Sequence, residues 1–388
     1  MILDKNQQAF FELLKAGLWG GQGPAQEFKS SSVQDSVDWE KIYQLAQEQS
    51  VQGVVLSGIE ELRAKGIELN VPKVLLLQWI GEVQIIEQRN KEMNAFVAEL
   101  IEKLRKNDIY AILVKGQGIA QCYEKPLWRV CGDVDLLLSN ENYEKAKKVL
   151  LPIAIDVEDE YKTFKHIGMT MKGGFVVELH GTLHSRLSNR VDSVIDEAQR
   201  SIFFMGNVRS WQNGNTQVFL PDIDEDVIFV FTHILHHYYI EGIGLRQICD
   251  WCSLMWTYKE SQNYGLLESR IKRAGLMSEW KVFRALAIEY LGMPIVTMPC
   301  CEGFSTFEVA KPINNIQEFK KLKLKSDKIM EFVLETGNFG HNRKAAKSKV
   351  GSVWNKTKDF ANHIRVFPWD SFKFFFHFLK DGLILVFK

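Results

Sequence analysis

Net charge is missing from this chain: 48 Lys and Arg residues balance 48 Asp and Glu. The total therefore exerts no general pull on nucleic acid or other polyanions. Long apolar runs are missing too, and no stretch reaches the roughly 20 apolar residues that span a bilayer. Met1 is followed by ILDKNQQAFF, without a basic segment leading into an apolar one, so no secretory signal is expected. Cysteine is scarce: six residues (122, 131, 249, 252, 300 and 301) in a chain of 388 make no disulfide framework, which fits a reducing cytoplasm. Cys249 and Cys252 form a single CxxC inside a helical pattern, which reads better as two buried thiols than as a zinc or redox pair. Internal repeats and low-complexity segments are absent. A suggestive basic cluster is Arg343, Lys344, Lys347 and Lys349, in a Gly- and Lys-rich stretch read as a loop. One small cluster does not make a basic surface, so a nucleic-acid acceptor is not expected.

What is present suits a globular chain, with 46% hydrophobic and 25% charged residues. Its 388 residues exceed one ordinary core, and two or three domains are expected. Residues 1–107 read as helical. Phe10, Phe11, Leu13, Leu14 and Leu18 precede a break at Gly20, Gly21, Gly23 and Pro24. Asp38 is placed to cap a helix over 39–50, a second apolar stretch covers 51–62, and Pro72 opens a long helix to about 106. Residues 108–190 change character. A buried strand is predicted at 109–114, a helix at 141–151 capped by Ser139 or Asn140, and strands at 167–172 and 175–183 joined through Gly173-Gly174. The helical pattern returns over 191–300, clearest at 224–239 and 245–258, with two more helices at 264–274 and 278–291. A C-terminal region, 301–388, has a helix at 320–336 and an aromatic tail at 369–388. The tail's apolar positions surround the helix, so it packs on the body, meets a partner or rests on a membrane surface, with packing the first reading. The fold class is α+β: a small mixed-sheet core flanked by N- and C-terminal helical regions.

The chemistry concentrates in 109–138, IYAILVKGQGIAQCYEKPLWRVCGDVDLLL. Asp133 and Asp135 are two residues apart on a strand, so they share one face about 7 Å apart. Two acids on an apolar strand end repel, and a hard divalent cation such as Mg²⁺ answers that repulsion. Lys115-Gly116 ends the preceding strand and Gln117-Gly118 opens a short helix, where backbone amides come close to a phosphate and Lys115 adds a positive charge. Glu178 offers a third carboxylate, with His180 two residues on and on the same face. Three such acids are the set that a two-metal site requires.

The order strand–Lys-Gly–helix–Arg–GDVDLLL–helix–strand–VELH resembles the nucleotidyltransferase superfamily that includes DNA polymerase beta and the aminoglycoside nucleotidyltransferases. It is more closely similar to a bacterial family of uncharacterised nucleotidyltransferases often encoded near surface-polysaccharide genes. The matching positions are Lys115, Gly116, Tyr123, Pro126, Arg129, Gly132, Asp133, Asp135, Glu178 and His180, and the segment with His233, His236, His237, Arg246 and Asp250 resembles that family's helical part. The likeness spans about 75–260. One departure is Gly116-Gln117 where the superfamily carries Gly-Ser. The resemblance implies an NTP substrate, two Mg²⁺ ions held by Asp133, Asp135 and Glu178, pyrophosphate release, and an unspecified hydroxyl acceptor such as a sugar, glycan precursor, metabolite or protein. Lys115, Gly116, Gln117, Arg129 and His180 are the implied nucleotide contacts. Two rivals stay open: a catalytically silent scaffold, and a zinc hydrolase using His233, His236 and His237 at i, i+3 and i+4. Arg246 and Asp250 also fit a plain helix-surface ion pair.

Overall fold

Side-chain caps open the first two N-terminal helices, the second at the Asp38 that the sequence indicates. In the computed structural model, residues 1–20, 37–161, 165–240, 242–294, 297, 316–338 and 349–375 are described. Helix α1 (Lys5–Trp19) begins with a capping box between Asp4 and Gln7, and α2 (Trp39–Glu48) begins where Asp38 accepts from the Lys41 amide. Helix α3 (Gln52–Ala64) lies across α1 at two glycines. A Cβ on Gly17 would overlap the Val54 carbonyl oxygen, and one on Gly58 would overlap that of Leu13. The long α4 (Lys73–Arg105) follows Pro72, whose missing N–H is no loss at a helix start.

Seven strands make one mixed sheet. They are β1 (Ala111–Val114), β2 (Asp133–Leu138), β3 (Asp156–Val157), β4 (His166–Met171), β5 (Phe175–His180), β6 (Val208–Asn213) and β7 (Thr216–Pro221), in the order β3-β4-β5-β2-β1-β7-β6. Helix α5 (Gly116–Ala120) follows β1, and α6 (Asn140–Leu150), capped by Ser139, follows β2. Period-two alternation gives the sheet two faces. On one, Leu113, Val134, Leu136, Leu138, Val177 and Leu179 pack on Val97, Leu100, Ile101 and Leu104 of α4 and on Tyr143 and Ala146 of α6. On the other, Ile112, Val114 and Leu137 join the helical body, and Asp133, Asp135, Glu178 and His180 occupy the alternating positions beside them.

Two expectations are corrected. The helical reading of 191–300 misses the β6–β7 hairpin, which closes through Gly214-Asn215 with Gly214 at φ +59° and joins the sheet where Phe219 pairs with Ile112 of β1. The strand expected over 175–183 stops at His180, because the Leu183 amide and the Thr182 hydroxyl donate to Gln199 instead of to a neighbouring strand.

That hairpin lies between α7 (Asn189–Met205) and α8 (Ile223–Ile240). Helices α9 (Leu245–Thr257), α10 (Tyr264–Ala274) and α11 (Met277–Leu291) complete the cover of the second face. Their centre is aromatic: Trp280 meets Phe231 edge-on at 4.9 Å and Trp251 at 5.0 Å. Cys249 and Cys252 are buried there as free thiols. Helix α12 (Ile316–Thr336) packs on α11, and α13 (Lys349–Val366) leads to a helical segment over 368–375. In that segment Phe374 is buried against Tyr239 and Trp369 is 84% exposed. The rest of the tail, Cys300, Cys301, Arg343, Lys344 and Lys347 lie outside the described residues. Among the described residues no helix is long and apolar enough to cross a membrane.

Candidate active site

Strand register brings the acids together. β2 and β5 run parallel with Asp135 beside Glu178 and Leu137 beside His180, so alternation turns Asp133, Asp135, Glu178 and His180 to the same face. β4 pairs antiparallel with β5, which sets His166 opposite His180. Oxygens of Asp133, Asp135 and Glu178 lie within 4.8 Å of one another, as do ligand atoms of His166, Glu178 and His180. These groups line a cavity of about 500 Å³ between the sheet and helices α8 and α9.

Lys115 is the local counter-charge. Its backbone sits at φ +56° and ψ −145°, a region that strains any residue with a side chain, as the chain turns from β1 into α5. The ammonium donates to Asp135 Oδ1 at 2.8 Å. Burial disfavours that charge, but the carboxylates of Asp135, Glu178 and Asp133 outweigh it and raise the lysine's pKa. One lysine does not neutralise three acids. Asp133 is pushed up to about 6, first by the charge of Asp135 and then by burial. Glu178 goes the other way: burial opposes its charge, yet hydrogen bonds from His166 (3.2 Å) and His180 hold it well below the usual carboxylate range. His180, 2.8 Å from Asp135 Oδ1, is raised in turn because its two carboxylate partners outweigh its burial. Crowded carboxylates that lift one member's pKa are the charge pattern that a divalent cation relieves, so these residues fit a metal.

Two expected nucleotide contacts point elsewhere. Gln117 is buried and absent from the cavity wall; its amide donates to the Asp133 carbonyl at 3.5 Å and meets Met93 Sδ. Its side chain is an internal strut between Met93 of α4 and the start of β2. Arg129 reaches the cavity wall, but its guanidinium is committed to Asp250, with Nε to Oδ1 at 2.9 Å and Nη2 to Oδ2 at 2.5 Å. Tyr123 donates to the same carboxylate at 2.7 Å. This corrects the surface pair read between Arg246 and Asp250: Asp250 is buried and ties α9 to the loop before β2, and Arg246 donates to the Val130 carbonyl. Asn90 of α4 holds the same loop by donating to the carbonyls of Leu127 and Arg129. Gly116, at φ +34°, does line the cavity.

The helix α8 histidines also face the cavity, but not as a zinc set. His237 and His233 share a 3.0 Å contact between Nε2 atoms, and His236 Nδ1 turns to the Ser185 carbonyl at 2.7 Å. Burial, then the charge of Lys115, holds His233 well below its usual pKa and so neutral. The residue that sequence reasoning passed over is His166. A hairpin centred on Gly173 pairs positions equidistant from it, and that alone sets His166 opposite His180.

No curated protein and no solved structure matches the chain significantly. The model of one family, described as uncharacterised nucleotidyltransferase, matches residues 35–292, which is more than half the chain and contains every site residue above. With Lys115, the paired aspartates and Glu178 assembled on one sheet face inside that span, the chain belongs to the uncharacterised nucleotidyltransferase family and is a nucleotidyltransferase.

Proposed function

We propose that the cavity moves a nucleoside monophosphate from an NTP to an acceptor hydroxyl and releases pyrophosphate. The observation that carries this reading is the group of Asp133, Asp135 and Glu178 beside Lys115, within the span that the family matches. In the transfer, the acceptor oxygen forms a bond to the α-phosphorus while the bond from that phosphorus to the β-phosphate's bridging oxygen breaks. Divalent ions, with Mg²⁺ the expected occupant of the all-carboxylate group, would neutralise phosphate charge and acidify the hydroxyl. Asp133 and Asp135 would hold the ion on the nucleotide, and Asp135 and Glu178 the ion near the acceptor. Lys115 supports the charge that builds on the phosphates, and Gly116 lets the triphosphate approach the backbone. Glu178 would assist deprotonation of the hydroxyl by holding negative charge beside it, and the proton passes to solvent. Positioning and electrostatics supply most of the rate. The acceptor class is a hydroxyl on a sugar, glycan precursor, metabolite or protein.

Calorimetry with each of the four NTPs, with and without Mg²⁺, tests the reading on wild type and on the double variant Asp133→Ala/Asp135→Ala. Metal-dependent binding to wild type alone is expected, followed by pyrophosphate release with the right acceptor. Failure of all four nucleotides to bind wild type would sink it.

A further inference from the structure

Nucleotidyl transfer leaves part of this sheet face without a task. His166 on β4 and His180 on β5 stand side by side, their rings 4.8 Å apart, with Glu178 between their ring nitrogens. His166 Nε2 is 3.2 Å and His180 Nε2 is 3.4 Å from the same oxygen, Glu178 Oε2. An ion bonded tetrahedrally at about 2.0–2.1 Å sets its ligand atoms about 3.3 Å apart. Both measured edges have that length. Asp135 Oδ1, 2.8 Å from His180 Nε2, stands at a neighbouring corner. A single imidazole is enough to hold a carboxylate by hydrogen bonding. Here two converge on one oxygen, and six of the chain's nine histidines (166, 180, 184, 233, 236 and 237) line the same cavity.

Ligand chemistry decides which ion such a set takes. Mg²⁺ favours octahedral oxygen and keeps its waters, whereas imidazole nitrogen suits first-row transition metals. We propose that His166, Glu178 and His180 form a site for a divalent transition metal of the Mn²⁺-to-Zn²⁺ series, next to the all-carboxylate group and joined to it through Glu178. Placing that ion on the acceptor side of the reaction rests on the nucleotidyl-transfer reading; its binding does not. The site is partly open, with His166 and Glu178 each 26% exposed at the side chain, so an ion can enter without unfolding.

Cobalt(II) is the probe, because its visible absorption intensifies and shifts when nitrogen ligands replace water. Chelator-treated full-length protein is titrated with Co²⁺ under excess Mg²⁺, comparing wild type, His166→Ala, His166→Gln and Asp133→Ala. Wild type is expected to take one equivalent with strong bands that Mg²⁺ does not displace, and Asp133→Ala to keep those bands. Residues that merely orient a ligand are worth 10- to 100-fold in metal affinity, so losing a ligand should weaken binding by at least about 100-fold in both His166 variants. Two variants guard against a folding defect in either one. Equal affinity in wild type and both variants, displacement by Mg²⁺, or no bands in wild type overturns the proposal. The Mg²⁺-dependent nucleotide calorimetry separates the two readings. Cobalt bands without nucleotide binding leave this site standing and remove nucleotidyl transfer; nucleotide binding without bands does the reverse.

Discussion

Glu279 on α11 is fully buried, and the Tyr239 hydroxyl donates to it at 3.0 Å. Burial, with the Asp370 carboxylate adding to it, pushes the carboxyl up to about 8. Unfolded, the same group ionises near 4.5. Between those pH values the folded state holds the extra proton, so stability falls as pH rises and the loss is complete above about 8. At full extent it amounts to roughly 5 kcal/mol. Urea unfolding from pH 5 to 8 should therefore show wild type losing stability relative to Glu279→Gln. Parallel profiles for the two proteins would clear Glu279 of the effect. Arg129 and Asp250 give a second prediction at this scale, since each is only 6% exposed. Removing one partner strands a buried charge, so Arg129→Met should cost about 3–5 kcal/mol. The pair Arg129→Met/Asp250→Leu should recover much of that loss, and additive losses in the double-mutant cycle would contradict the buried-pair account.

At the scale of elements, the close crossing of α1 and α3 depends on having no side chain at Gly17 and Gly58. In an exposed helix, glycine to alanine gains about 1 kcal/mol from propensity. Here the new methyl would overlap the Leu13 carbonyl, which belongs to backbone and cannot swing aside. Gly58→Ala should therefore destabilise by about 1–3 kcal/mol, read as a lower thermal midpoint. A raised midpoint would mean that the helices do not approach this closely. The same scale shows which local signals could be read. Asp38, Ser139 and the Gly173-Gly174 turn act on their own neighbours, so the elements that follow them begin within a residue of where the sequence marks them. The β6–β7 hairpin was equally local, with alternating residues about Gly214-Asn215, but it lies between strongly helical segments that mask a short strand pattern.

For the whole molecule, the sheet is not a unit that ends at residue 190. β7 pairs with β1, and the face carrying Ile112, Val114 and Leu137 is covered by helices from both flanks. A 108–190 fragment would expose that face and leave β1 as an open edge. It should fail to fold cooperatively, giving collapsed NMR dispersion and no sharp melt. A sharp melt would make the central unit an independent domain.

Much of the site could be read one strand at a time, because alternation on a strand is a local rule. It places Asp133 with Asp135, and Glu178 with His180, on common faces without any knowledge of the fold. The sequence by itself determined those pairs, the helical flanks, and a charge balance that favours no polyanion. Tertiary structure alone decided that the two strands lie parallel with Asp135 against Glu178, since pairing between distant segments depends on everything packed around them. It also turned Gln117 into the core and tied Arg129 to an aspartate 121 positions away. A side chain's residue type limits the chemistry it can do, but its direction and partners are set by packing and by the demand that buried charges find one another.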